Sequence, residues 1–195
     1  RGVQEIAAHS GSIGVVVGFV DRNPKKEGRD FYNAAAFLAE GKIQAVVHKT
    51  LLPTYDVFDE DRYFESAESV QVVPFRGQTL GISICEDAWN SEDFWSRPLY
   101  STDPIRNQVE HGADLLINIS ASPYEMGKPR LRFQMLLDHV QKHRVPLVYV
   151  NLVGGNDDLL FDGNSIALGG RKAAGRVRCL LGVRGRDLDR NRRRG

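Results

Sequence analysis

The stretch "GISICEDAWN", residues 81–90, climbs through an apolar run to Cys85 and then places Glu86 and Asp87 directly beside it. A cysteine after such a run is most often a small buried hydrophobe. Two adjacent carboxylates are unusual company for that role. A thiol at a strand–turn junction is exposed at the end of a sheet, where backbone N–H groups can hold an oxyanion. To react at neutral pH it also needs positive charge nearby. Lys49, at the end of "QAVVHK", is a candidate source. A lone lysine there is ordinarily a solvated edge charge. The segment after it, "TLLPTYDVFDEDRYFE", interleaves Tyr55, Phe58, Tyr63 and Phe64 with Asp56, Asp59, Glu60, Asp61 and Arg62. That mixture suits a pocket wall or a packed lid better than a flexible linker. A third stretch, "NISASPYEMGK" at 118–128, offers the Ser122 hydroxyl and the Lys128 cation, with Pro123 and Gly127 setting its turns. Alone it reads as an ordinary strand–helix loop.

Other chemistries find little support. The histidines at 9, 48, 111, 139 and 143 lack partners at ligand spacing. His139 and His143 are four apart, but no HExxH pattern surrounds them. There is no GxxxxGK[ST] phosphate loop, and "GGN" at 154–156 is a weak glycine-rich turn.

The elements that must position these residues follow from hydrophobic patterning. "SIGVVVGFVD" (12–21) reads as a buried strand, and 31–49 as two strands joined at Glu40-Gly41. Residues 69–75 and 78–85 form a second pair around Arg76-Gly77. A helix over 102–114 is announced by Asp103 as N-cap, Pro104 at its first position and Gly112 at its end. Strands at 114–120 and 146–151 flank a helix over 128–144 with Phe133, Leu136, Leu137 and Val140 on one face. Two more strands are expected within 159–168. Strand hairpins followed by alternating strands and helices predict an α/β layered fold.

The chain has 195 residues, 42% hydrophobic and 26% charged, which suits one soluble globular domain. No apolar stretch approaches the roughly 18 residues of a membrane helix, and the first residues show no signal-peptide pattern. Two cysteines, Cys85 and Cys179, are too few for a disulfide framework, so a reducing cytoplasmic location is expected. The net charge of +1 is unevenly spread: residues 171–195 hold nine Arg and one Lys against two Asp, which leaves the rest acidic. The expected division is a domain over 1–170 and a basic tail over 171–195, disordered or out of frame. "RNRRR" would bind phosphates only non-specifically, and no nucleic-acid motif accompanies it.

Taken together, "HKTLLPTYDVFDEDRYF", "GISICEDAWN", "NISASPYEMGK" and "YVNLVGGNDDLLFDGNSIAL" resemble the nitrilase, or carbon–nitrogen hydrolase, superfamily. The closer likeness is to the glutaminase domains of bacterial glutamine-dependent NAD+ synthetases, and it runs from about residue 14 to 168. The resemblance implies a four-layer αββα sandwich, here incomplete at the N-terminus. It implies Cys85 as nucleophile and Lys49 as the triad lysine. Tyr55, Ser122, Lys128 and Glu86 would bind L-glutamine. It implies a glutamyl thioester intermediate, and ammonia passed to a synthetase domain that amidates deamido-NAD. No cofactor or metal is implied for the glutaminase step, whereas ATP and Mg belong to the synthetase domain. Relatives form homo-oligomers.

The departures are equally specific. The family's triad glutamate lies before a strand like "SIGVVVGFV"; Glu5, in "VQEIAAH", reads as the end of a helix and not as that motif. No SGGxDS-type ATP loop is present, and the likeness stops after "SIAL", beyond which no strand pattern is expected. The isolated chain is therefore expected to have no useful glutaminase activity. Two other readings remain open: a free-standing nitrilase-type amidase or carbamoylase, and a non-catalytic interaction fragment with a basic tail.

Overall fold

A computed structural model describes residues 1–91 and 94–169, together with the backbone of 177–179. Two sheets face each other. In the first, β1 (Val15–Arg22), β2 (Phe31–Ala39) and β3 (Lys42–His48) run antiparallel in the order β1-β2-β3. The β2–β3 turn is the expected one: Glu40 and Gly41 both have positive φ, at 53° and 77°, which matches the twist of a tight hairpin. The second sheet contains β4 (Val73–Phe75), β5 (Gln78–Ile84), β6 (Leu115–Ser120), β7 (Leu147–Asn151), β10 (Ile166–Leu168) and β11 (Val177–Cys179). Its centre, β5-β6-β7, is parallel, with α2 (Pro104–Glu110) and α3 (Lys128–His143) as the crossovers. A separate hairpin joins β8 (Val153–Asn156) to β9 (Leu159–Asp162).

Alternation along β2 explains the layering. Ala35, Phe37 and Ala39 point inward and pack against Val73, Leu80, Ile82 and Ile84 of the second sheet. Ala36 and Leu38 point outward, under Ala7 and Val3 of helix α1 (Gly2–Ala8). On the far side of the second sheet, Leu116, Leu147 and Tyr149 pack against Ile105 of α2 and Met135, Leu136 and Val140 of α3. The order helix, sheet, sheet, helix is the four-layer α/β sandwich expected.

Some expectations need correction. β1 is not buried: it is an edge strand with Val20 60% exposed, because nothing among the described residues pairs with its outer side. The second pair of strands is shorter than expected, with β4 beginning only at Val73. "GGN" is strand rather than turn, as part of β8. The buried face of α3 is rotated from its apolar stripe: Arg132 and His139 are buried, while Phe133 and Leu137 are only partly so. Polar partners make this possible, since His139 Nε2 bonds the Ala88 carbonyl at 2.8 Å and Arg132 meets Asp162. Finally, the stretch read as lacking a strand supplies β11, whose backbone pairs antiparallel with β10 from Ile166↔Cys179 to Leu168↔Val177. A backbone ladder of three residues needs little sequence signal. The rest of the basic tail lies outside the described residues.

Candidate active site

Cys85 follows β5 and opens a single 3₁₀ turn, Cys85–Ala88. Its φ is +45°, a left-handed conformation rarely adopted by a non-glycine residue and characteristic of strained functional turns. Asp87 builds this turn. One carboxylate oxygen accepts the Ile84 N–H at 3.0 Å; the other accepts the N–H groups of Thr50 and Leu51 at 3.1 and 2.8 Å. The same side chain therefore ties the cysteine turn to the segment that carries Lys49. Burial pushes the Asp87 carboxyl up to about 6 despite these three donors. From below, Asn118 on β6 donates to the Cys85 carbonyl at 3.4 Å and to Ser83 Oγ at 2.9 Å.

Lys49 is only 1% exposed, and its Nζ lies 2.6 Å from Glu60 Oε1. Glu60 stands on a second 3₁₀ turn, Glu60–Arg62, and its other oxygen accepts from Asn33 Nδ2 at 3.2 Å. Lys49, Glu60 and Cys85 line one cavity of about 670 Å³, between the β1 edge and the ends of β6 and β7. Burial pushes the Cys85 thiol up, and Glu86 and Glu60 add to this; Lys49 pulls the other way without reversing it. The balance disfavours the thiolate, so attack on an amide requires a group that takes the thiol proton.

Cys85 also opens on a second cavity of about 500 Å³, shared with Tyr55, Glu86, Tyr100, Ser122 and Lys128. Glu86 is buried here. The Tyr55 hydroxyl straddles its two oxygens at 2.8 Å each, and the Tyr100 hydroxyl reaches one of them at 3.2 Å. Burial holds the Glu86 carboxyl above the ordinary carboxylate range, while both hydroxyls and Lys49 pull it down. The Tyr55 and Tyr100 phenols are raised in turn, first by burial and then by Glu86. On the opposite wall, Lys128 Nζ sits 5.7 Å from the centre of the Trp89 ring.

Of the six residues singled out in the sequence, five line this second cavity. Lys49 lies in the first, with Cys85 common to both. Glu5 lines neither cavity; it stands on α1, exposed and paired with Arg1. Sequence reasoning missed two participants. Glu60 carried no signal beyond its place in the acid-rich segment, because its approach to Lys49 depends on the fold of that segment. Tyr100 falls at the end of "FWSRPLY", with no spacing to mark it. Among the described residues, no group of three or more His, Cys, Asp and Glu side chains could hold a metal ion. None of the helices described is long and apolar enough to cross a membrane.

The carbon–nitrogen hydrolase family model matches residues 3–171. A glutamine-dependent NAD+ synthetase from Synechocystis sp. is 44% identical over 160 residues, which is 80% of this chain and 29% of that protein. The chain thus spans under a third of the length of this relative. A solved glutamine-dependent NAD+ synthetase from Acinetobacter baumannii, in complex with ADP, superposes with a TM-score of 0.73 at 34% identity, covering 86% of this chain and 29% of that one. A carbon–nitrogen hydrolase from Helicobacter pylori shares the fold, with a TM-score of 0.69 at 21% identity over 86% of this chain and 58% of its own.

Proposed function

This chain belongs to the carbon–nitrogen hydrolase family, and on that premise we propose that it binds L-glutamine and attacks its side-chain amide with Cys85. Ammonia released there would serve a synthetase domain that amidates deamido-NAD to NAD+. The observation that carries this reading is the composition of the second cavity. Its lining places a buried carboxylate, Glu86, and a cation, Lys128, around one thiol, with Arg97 and Glu125 also on its wall. An α-amino acid offers the complementary ammonium and carboxylate, with its side-chain amide free to reach Sγ. A simple amide would leave both charges unanswered, which favours glutamine over the substrates of a free-standing amidase.

In the proposed reaction the Cys85 sulfur bonds to the amide carbon, the carbonyl oxygen becomes anionic, and Lys49 stabilises it. The thiol proton passes through a carboxylate to the departing nitrogen, so that ammonia leaves and a glutamyl thioester remains; water then releases glutamate. Glu86 is a poor proton carrier because two tyrosine hydroxyls hold both of its oxygens. Glu60 is in the right cavity but is engaged by Lys49. The resemblance assigns the role to a glutamate before β1, and Glu5 does not fit it. ATP and Mg²⁺ belong to the synthetase half of the longer relatives; the residues described do not fit them, and no step here runs through them.

The direct test uses a glutamine analogue, diazo-oxo-norleucine, followed by peptide mass mapping. Label on Cys85, with L-glutamine protecting it, is the expected result. Label chiefly on Cys179, or no protection, would overturn the assignment.

A further inference from the structure

Arg132, on α3, is the largest of the fully buried side chains among the described residues. A guanidinium taken out of water destabilises the fold by several kcal/mol unless partners surround it. Here Nη1 lies 3.2 and 3.5 Å from the two oxygens of Asp162 at the end of β9. Nη2 donates to Ser122 Oγ at 3.3 Å. Asn151, on β7, completes the arrangement: its Oδ1 accepts the Ser122 N–H at 2.8 Å, and its Nδ2 donates to the Ser122 carbonyl and to Asp162, each at 3.3 Å. Asn164 donates to the other Asp162 oxygen at 2.7 Å. Ser122 is thus held at its N–H, its carbonyl and its hydroxyl oxygen, by residues that lie outside the cavity it lines.

The direction of one of these bonds decides what Ser122 can do. A guanidinium has no acceptor, so the Ser122 oxygen must accept and its own proton is left to donate. Tyr149 Oη is the competitor for that proton, since the hydroxyls of Ser120 and Ser122 both act on it, but neither meets it at hydrogen-bond distance and angle, so a substrate carboxylate that does would win the proton. Arg132 itself is sealed from the cavity, and Asp162 balances its charge. What reaches the ligand is therefore orientation, not net charge.

We propose that Arg132 is a positioning residue that fixes Ser122 as a hydrogen-bond donor, so that the Ser122 hydroxyl and Lys128 together read a carboxylate on the bound substrate. This rests on the cavity being a glutamine site. The Asp162–Asn151–Arg132 set links three separate elements, β9, β7 and α3, behind one serine, and gives the cavity its preference for an amino acid over the same molecule without its carboxylate.

The experiment compares two ligands by calorimetry on the full 195-residue chain: L-glutamine, and γ-aminobutyramide, which is glutamine without the α-carboxylate. In Arg132→Lys a point charge replaces the planar fork and cannot serve Asp162 and Ser122 together. L-glutamine should bind roughly tenfold more weakly, while γ-aminobutyramide binding changes less than about twofold. Ser122→Ala should show the same split, and adding Arg132→Lys to it should cause no further loss, because the two act through one contact. Asp162→Asn provides the same comparison if Arg132→Lys does not fold. Equal weakening of both ligands would mean a structural role only, and additive losses would mean that Arg132 does not act through Ser122; either overturns the inference. Wild-type binding of L-glutamine that no variant disturbs overturns this inference alone. No wild-type binding of L-glutamine removes the glutamine reading and this inference with it.

Discussion

The two cavities that meet at Cys85 each contain a buried or nearly buried carboxylate, held in opposite ways. Glu60 faces an ammonium, Lys49, at 2.6 Å, and an amide from Asn33. Glu86 takes its hydrogen bonds from neutral hydroxyls, those of Tyr55 and Tyr100, while Lys49 acts on it only through space. The difference separates two tasks. A carboxylate paired with a lysine has its charge satisfied and serves to fix that lysine beside the thiol. A carboxylate held by phenols keeps its charge in a partly apolar pocket, and under the proposed function the ammonium of glutamine would complete it. On that reading, one wall is finished before substrate arrives and the other would be finished by it.

The largest test of this contrast is Lys49→Met. It leaves Glu60 without its cation, and removing one partner of a buried pair typically destabilises a protein by roughly 3–5 kcal/mol. Urea unfolding should show a loss of that order. A loss below about 1 kcal/mol, the range of surface pairs, would mean that the first wall is not built on this pair. Glu86→Gln should behave differently. Stability should change little or rise, because a charge held above the ordinary carboxylate range is unfavourable in the folded state. L-glutamine affinity should fall roughly 10- to 100-fold, the range of a lost charge-assisted contact.

The pH dependence sharpens the same point. An ammonium ligand needs Glu86 ionised, and the Glu86 carboxyl lies above its ordinary 4.5. Wild-type affinity for L-glutamine should therefore begin to fall at a higher pH than a free carboxylate would dictate, as acidification protonates Glu86. Glu86→Gln should remove that acid limb; an identical limb in both proteins would show that another group controls it. The smallest effects belong to the tyrosines. Tyr55→Phe removes a hydroxyl at 2.8 Å from both oxygens, and Tyr100→Phe one at 3.2 Å from a single oxygen. Each substitution should move the acid limb to higher pH, because each hydroxyl favours the charged form, with Tyr55→Phe moving it further. Titrations of L-glutamine binding at several pH values would rank them.

How much of this was legible beforehand depended on whether a residue's position follows from local rules. The hairpin at Glu40-Gly41, the capped start of α2 at Asp103-Pro104 and the strand leading to Cys85 rest on turn chemistry and periodicity, and all three appear as read. Tyr55, Ser122 and Lys128 stand out in the sequence as a pocket-wall aromatic and a loop's hydroxyl and cation, but only the resemblance of four segments to a family implies that they bind a substrate. Glu60, Tyr100 and Asp162 gave no warning. Each acquires its place by a contact beyond the reach of local rules, 11, 14 and 30 residues along the chain: Lys49 to Glu60, Glu86 to Tyr100, Arg132 to Asp162. The helix α3 misled for a related reason. Its apolar stripe is real, but Arg132 and His139 found polar partners inside, and these turned the helix away from the face that hydropathy alone selects.

The left-handed backbone of Cys85 also bears on how easily the site could be lost over time. Glycine in a regular element is ordinarily disfavoured against alanine by roughly 0.5–1 kcal/mol, but at a φ of +45° that penalty disappears or reverses. A Cys85→Gly change would remove the thiol and leave the fold at least as stable as Cys85→Ala. Most positions in a protein are guarded twice, because the substitution that ruins activity also weakens the fold and is cleared with it. This position has only one guard. A lineage that no longer needed the thiol would find glycine here at little thermodynamic disadvantage, and the empty turn would keep the shape of a site that had stopped working.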